Sequence, residues 1–188
     1  TEHTRFPIAS MTKSFTAMGA AILVDEGLLS WDQPIRDLLP EFRLADDHAT
    51  AHATLRDLLS HRTGLPRHDA TWHGTGKTRQ ELFDGLRHLK PNAGFRSLWQ
   101  YNNLMYEVVG LLCARVSGAD SWETFIQNRI IDPLGLSATS ASAEHPSGKT
   151  FSDFALPYRL KSGGTAPERF PIYDNPLGPA GSIHSTLN

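Results

Sequence analysis

The first pattern with chemical potential is Ser10-Met11-Thr12-Lys13, a serine followed three residues later by a lysine. Residues at this spacing lie on one face of a helix, so Lys13 can reach the hydroxyl of Ser10. A serine hydroxyl becomes a good nucleophile only when a neighbouring group takes its proton. A helix N-terminus also favours the negative charge that develops during attack on a carbonyl. The pattern therefore predicts a nucleophile at Ser10 and an assisting amine at Lys13.

The same letters also fit a helix cap followed by a lysine that faces solvent. Ordinary serine and lysine usage gives such a match about once in a chain of this length. The context favours chemistry, because the match opens the most apolar stretch of the chain, residues 15–24. A lysine without a role is not expected at the start of a helix that must be buried.

A second pattern, Tyr101-Asn102-Asn103, also stands at the predicted start of a helix. A tyrosinate stabilised by a nearby ammonium can act as a general base towards Ser10, and Asn103 can donate to a substrate carbonyl. The alternative is a half-buried tyrosine beside an asparagine helix cap. Tyr173-Asp174-Asn175 has the same spacing, but it precedes a proline in a predicted loop and no helix follows it. We therefore prefer Tyr101 and Asn103.

These patterns belong to a longer series of segments that resembles the serine β-lactamase superfamily, in particular class C β-lactamases, the related D-alanyl-D-alanine carboxypeptidases and the β-lactamase-like esterases. The segments come in that family's order: the stretch around Ser10 at residues 6–16, LLSHRTGLP at 58–66, PLGL at 133–136 and GPAGSIHST at 178–186. Arg62 and Thr63 replace the usual Thr and Ser, and Ser182 stands where a second Gly is usual.

The resemblance implies a serine hydrolase or acyltransferase that acts through an acyl-enzyme on an ester, amide or lactam, without a cofactor. It makes Ser10 the acylated nucleophile. Lys13 and Tyr101 then share activation and proton transfer, and Asn103 helps to hold the substrate. The competing hypothesis is a catalytically inactive module of the same fold that serves in binding or assembly. The joint presence of these four residues argues against it.

The family's third motif, K-T-G or H-x-G, lies on a strand downstream of the segment at 178–186. Lys161-Ser162-Gly163 fits its letters but lies upstream, in a glycine-rich turn, so we do not assign it. We expect the third motif beyond Asn188, together with most of the family's sheet. The 188 residues alone are therefore expected to be inactive and only marginally stable.

Periodicity and capping residues predict the helices that position these groups. They cover residues 10–27, a short segment after Asp32-Gln33-Pro34, segments that begin with capping boxes at Thr54 and Thr78, residues 102–117, and a segment capped by Asp120 that reaches residue 131. On the first helix Phe15, Met18 and Ile22 share a face and small residues fill the rest. We expect that helix to be buried nearly all round.

The predicted fold class is mainly α, the helical domain of an α+β β-lactamase/transpeptidase-like fold whose antiparallel sheet is mostly missing. Residues 1–188 form a partial domain, with a helical part at 1–136 and a loop and hairpin segment at 137–188. Alternation at Leu156, Tyr158 and Leu160, followed by Ser162-Gly163-Gly164, predicts a hairpin or an extended excursion there.

Composition and charge exclude several other classes. Lys and Arg number 18 against 20 Asp and Glu, for a net charge of −2, so nucleic acid is not an expected partner. The longest apolar run is about half of the ~20 residues that a membrane span needs. His48 and His52 have a metal-ligand spacing but lack a glutamate partner, so no metal is predicted. The expected partner is a small-molecule or peptide acyl substrate, and the sequence indicates neither compartment nor oligomeric state.

Overall fold

The structure of the protein is a computed structural model that describes residues 1–142, 153–160, 164, 167–169 and 177–188. Its α-helices, α1 to α8 in chain order, are Thr12–Asp25, Ile35–Leu38, Asp47–His52, Leu55–Leu59, Arg79–Gly85, Asn103–Ser117, Trp122–Ile126 and Gly178–Gly181. Tighter 3₁₀ turns cover Ala9–Met11, Asp69–Thr71 and Leu86–His88, and a π-helical turn, Gln127–Ile131, continues α7. The strands β1 to β4 are Phe6–Pro7, Tyr158–Leu160, Pro167–Arg169 and His184–Ser185.

Helix α6 lies at the centre of the fold, with α1, α4, α7 and α8 packed around it. Asn102 caps its N-terminus, where the side-chain oxygen accepts from the Met105 N–H at 3.2 Å. Gly118 ends it in the left-handed conformation, with φ +73°. The helix is buried over most of its length, which fits its apolar sequence and its central position.

Helix α1 packs through its small and polar residues rather than through its large ones. Its buried residues are Thr12, Lys13, Thr16, Gly19, Ala20 and Leu23. The expected burial nearly all round is therefore wrong: Met18 is 52% exposed and Phe15 is only partly buried. Small side chains occupy the buried face because they let α7 approach α1 closely. At Gly19 there is no room for a side chain, since a Cβ atom there would lie 2.6 Å from the ring of Phe125.

The helix starts follow local capping chemistry. Both predicted capping boxes, at Thr54 and Thr78, are confirmed, with reciprocal side-chain and backbone hydrogen bonds. The predicted cap at Asp120 is wrong by one residue. Ser121 caps α7, because its extended backbone brings the hydroxyl to the Thr124 N–H at 3.1 Å.

Among the described residues the strands form two small antiparallel pairs. β1 pairs with β4, so the segment just before Ser10 lies against the C-terminal segment. β2 pairs with β3, which confirms the predicted hairpin. The mainly helical content with little strand confirms the predicted fold class, and the division of the chain at residue 136 stays a prediction. In the described part of the chain, no helix has the length and apolar character to cross a membrane.

Candidate active site

Ser10 lies in the 3₁₀ turn that leads directly into α1, and its side chain is exposed. The preceding residue, Ala9, has φ +48°, in the left-handed region that non-glycine residues seldom adopt. The Ile8 N–H donates to the Ile183 carbonyl at 2.9 Å and fixes the segment before the turn. A strained residue held by its surroundings is a common feature of functional sites.

Ser10, Lys13 and Tyr101 are in direct contact. The Oγ atom of Ser10 lies 2.6 Å from the Oη atom of Tyr101, across 91 residues of chain. The Nζ atom of Lys13 donates to the same Oγ atom at 3.2 Å. Both distances are within hydrogen-bonding range, so the arrangement provides a short path for the serine proton.

The Lys13 side chain is buried, with 7% of its surface exposed. Its Nζ atom donates to the Ala180 carbonyl at 2.7 Å, and lies 4.8 Å from the ring centre of Tyr101 and 5.4 Å from that of Tyr106. Burial lowers the pKa of Lys13, and the hydrogen bond and charge of Tyr101 act in the opposite direction. A lowered pKa brings the amine closer to the neutral form, which can accept a proton.

Side chains on the buried face of α1 form hydrogen bonds with the backbone of the segment that contains α8. The hydroxyl of Thr16 donates to the Pro179 carbonyl at 2.7 Å, and the hydroxyl of Thr12 accepts from the Ile183 N–H at 3.1 Å. Lys13 also binds the Ala180 carbonyl. Three polar side chains on one face of α1 therefore form hydrogen bonds with backbone groups within residues 179–183. The position of Lys13 is therefore set by α8 as well as by its own helix.

Asn103 is placed differently from the other three residues. It lies in the first turn of α6, and its Nδ2 atom donates to the Asp69 carboxylate at 3.4 Å rather than contacting Ser10. The Asp69 carboxylate also accepts from Arg67 Nε at 2.6 Å and from the Trp72 indole at 3.2 Å. The sequence analysis did not identify Arg67 or Asp69. The available signal was their position directly after the family-like segment at 58–66.

The Tyr101 ring is enclosed by Arg67 and His61. The Arg67 guanidinium lies 4.9 Å from the ring centre, within cation–π range. The His61 ring centre lies 4.7 Å from it, and the His61 Nδ1 atom accepts from the Asn102 N–H at 3.2 Å. The ring of the phenol that contacts Ser10 is therefore packed against both a guanidinium and an imidazole.

Two sequence alternatives, Lys161-Ser162-Gly163 and Tyr173-Asp174-Asn175, lie outside the described residues. The rings of His48 and His52, in the first and last turns of α3, are tilted against each other with their centres 4.3 Å apart. In the part of the chain that the structure describes, no three His, Cys, Asp or Glu side chains are grouped in a way that would bind a metal ion. The described site chemistry is thus that of a serine hydroxyl, an amine and a phenol.

Comparisons with known proteins identify a family and several similar proteins. The sequence model of the beta-lactamase family matches residues 1–188. The chain is 32% identical to the unguisins hydrolase ungD' of Aspergillus campestris, over 100% of this chain and 36% of that protein. The octameric penicillin-binding protein homologue from Pyrococcus abyssi superposes with a TM-score of 0.81 at 26% identity, over 100% of this chain and 43% of that one.

A second solved structure, the D-amino acid amidase from Ochrobactrum anthropi SV3, gives a TM-score of 0.77 at 29% identity, over 99% of this chain and 52% of that one. The chain thus spans between about a third and about half of the length of the proteins it matches. The helices and the contact of a serine with a lysine and a tyrosine accompany a family match over residues 1–188. The chain therefore belongs to the beta-lactamase family.

Proposed function

We propose that the protein is a serine hydrolase or acyltransferase that forms an acyl-enzyme on Ser10 and acts on an ester, amide or lactam. The observation that carries this proposal is the contact of one Ser10 oxygen with both Tyr101 and Lys13, at 2.6 and 3.2 Å. Membership of the beta-lactamase family supports serine hydrolase chemistry in general terms.

In the proposed acylation step, the Oγ atom of Ser10 attacks the carbonyl carbon of the substrate while its proton passes to the Tyr101 and Lys13 pair. The tetrahedral intermediate then collapses, and the leaving group departs with a proton from the same pair. A water molecule, or a second nucleophile in an acyltransferase, next attacks the acyl carbon and frees Ser10. The Ser10 N–H, at the start of a helix, is a proposed donor to the oxyanion.

Asn103 is proposed to hold the substrate carbonyl. Its hydrogen bond to Asp69 is long, at 3.4 Å, so the amide can turn towards a bound substrate at little cost. The names of the relatives, an unguisins hydrolase and a D-amino acid amidase, favour hydrolysis and make D-amino acid amides the first natural substrates to test.

The proposal is tested by turnover of the full-length protein on a p-nitrophenyl ester, a chromogenic β-lactam and a D-amino acid amide. Ser10→Ala should reduce turnover to the uncatalysed background. Ser14→Ala is the matched control, because Ser14 is exposed on α1, four residues after Ser10, and its hydroxyl donates only to the Met11 carbonyl among the described hydrogen bonds. Unchanged turnover in Ser10→Ala would remove the serine from the mechanism. Binding of these compounds without turnover by the wild type would favour the inactive module.

A further inference from the structure

His61 occupies a backbone position that glycine usually fills. Helix α4 ends in a pair of hydrogen bonds in which the Arg62 N–H donates to the Asp57 carbonyl at 3.0 Å and the His61 N–H to the Leu58 carbonyl at 3.3 Å. This Schellman pattern requires a left-handed residue just past the helix, and His61 has φ +59°. Glycine adopts that conformation without strain. A histidine side chain therefore stands at a position whose backbone conformation favours glycine.

The same residue holds the chain on both sides of Tyr101. Its carbonyl accepts from the Gln100 N–H at 2.9 Å, and its Nδ1 atom accepts from the Asn102 N–H at 3.2 Å. Its ring packs against the Tyr101 ring, at 4.7 Å between centres. These contacts fix the backbone before Tyr101, the backbone after it and the plane of its ring.

The surroundings of His61 keep its ring neutral and in one tautomer. A backbone N–H can only donate, so Nδ1 is the acceptor and the ring proton lies on Nε2. Burial, with a smaller contribution from the charge of Lys13, lowers the pKa of His61 to about 4. The rings of Tyr106 and Trp99 lie 5.3 and 5.8 Å away and complete an aromatic enclosure.

We propose that His61 is a positioning residue that fixes the phenol of Tyr101 on Ser10, and that this task accounts for histidine at a position that suits glycine. The inference rests on the proposed function, since it takes Tyr101 as the group that receives the serine proton. His61 acts through Tyr101, because the Asn102 N–H occupies its acceptor nitrogen and its ring packs against the Tyr101 ring.

The first test is His61→Asn in the full-length protein. Asparagine tolerates the left-handed conformation, so the end of α4 is preserved while the ring is lost. We expect kcat to fall by about 10- to 100-fold, as a small displacement of a reacting group allows, with KM within about threefold of the wild type. His52→Asn is the matched control, since His52 is exposed and its ring contacts the His48 carbonyl and ring. A kcat for His61→Asn within about twofold of the wild type would overturn the proposal.

The second test is independent of activity. A crystal structure of the full-length His61→Asn protein should show the Tyr101 Oη atom displaced from Ser10 Oγ, or in more than one position. A Tyr101 Oη to Ser10 Oγ distance that stays near 2.6 Å in the variant would overturn the positioning role. This result does not depend on turnover. A wild-type protein without turnover would defeat the proposed function alone. If the asparagine variant does not fold, His61→Gly serves in both tests, because glycine suits the left-handed position.

Discussion

The hydroxyl of Tyr101 lies 2.6 Å from the Oγ atom of Ser10, although 91 residues separate them in the chain. The contact arises where the turn before α1 meets the start of α6, two helices that pack against each other. Helix α8 packs on both and provides the Ala180 carbonyl that binds Lys13. The relative positions of the three side chains are therefore determined by packed helices, which supports precise positioning.

Replacement of Tyr101 by Phe tests the role of the phenol. The change keeps the ring and its contact with His61 but removes the oxygen that meets Ser10. We expect the rate of acylation to fall by about 10²- to 10⁴-fold, the usual contribution of a positioned acid–base group. Single-turnover kinetics with a chromogenic ester measure this rate. Tyr158→Phe is the control, because Tyr158 is exposed on β2. Equal rates for the two variants would exclude the phenol as the proton acceptor.

Replacement of Gly110 by Ala tests the packing of α6 on α8. A Cβ atom at this position would overlap the ring of Pro179, so α8 must shift and carry the Ala180 carbonyl away from Lys13. We expect a loss of about 1–3 kcal/mol in the free energy of unfolding, the usual cost of overpacking, together with slower acylation.

The matched control is Gly85→Ala, at the end of α5. A Cβ atom there would meet no other atom within 4 Å, and the φ of Gly85 is −72°, which alanine adopts freely. This variant should be unchanged or stabilised, by up to about 1 kcal/mol. Thermal unfolding compares the melting temperatures of the Gly110→Ala and Gly85→Ala variants. Similar melting temperatures would show that α6 and α8 are not packed this tightly.

Local chemistry and tertiary packing differ in how far they can be predicted from the sequence. The caps at Thr54 and Thr78 were predictable, because each depends on residues three positions apart. The hairpin of β2 and β3 was predictable from alternation and glycine placement. Exposure of Met18 was not, because apolarity alone does not indicate which side of a helix its neighbours approach.

The candidate site shows the same division. The spacing of Ser10 and Lys13 implied their contact, because both lie on one helical turn. The contact of Tyr101 with Ser10 was a hypothesis from the Tyr101-Asn102-Asn103 pattern and from the resemblance to a known family, because no local spacing links residues 91 positions apart. Asp69, which binds the Asn103 amide, had no pattern of its own, because its partners come from α6 and from a nearby loop. Such a cluster exists only after the chain has folded.

Replacement of Asp57 by Asn tests the support of the segment before Tyr101. The Asp57 side chain is buried, accepts from Thr54, and receives two hydrogen bonds from Arg96 at 2.7 and 2.8 Å. We expect a loss of about 1.5–3 kcal/mol in the free energy of unfolding, since hydrogen bonds to a charged group are removed. Asp32→Asn is the control, because the Asp32 pair with Arg56 is exposed and should contribute little. Denaturant unfolding compares them, and equal losses would disprove a special role for Asp57.

Replacement of Glu107 by Gln tests a buried carboxyl group on α6. Burial raises the pKa of Glu107 to about 8, although Arg79 lies 3.5 Å away and opposes the shift. A raised pKa means that the folded state binds this proton more tightly than the unfolded state does. The stability that this proton contributes is fully present below the ordinary pKa of 4.5 and is lost as pH rises through about 8.

Glutamine cannot ionise, so the stability of the Glu107→Gln variant relative to the wild type should rise between about pH 4.5 and about pH 8 and level off above that. Denaturant unfolding of both proteins across this range gives the difference. A difference that is independent of pH would show that Glu107 does not titrate there. Cys113→Ser, on the same helix, is a useful comparison, because burial raises the pKa of that thiol to about 12, above the range of the experiment.

The most direct test of the account is intact-mass measurement of the full-length protein after incubation with a β-lactam and, separately, with an activated ester. The proposed mechanism predicts one covalent adduct with the mass of the acyl group, located by peptide mapping on Ser10. The adduct should form more slowly in Tyr101→Phe and be absent from Ser10→Ala. An adduct that persists in Ser10→Ala, or a wild-type protein that forms none with either probe, would contradict the assignment of Ser10 as the nucleophile.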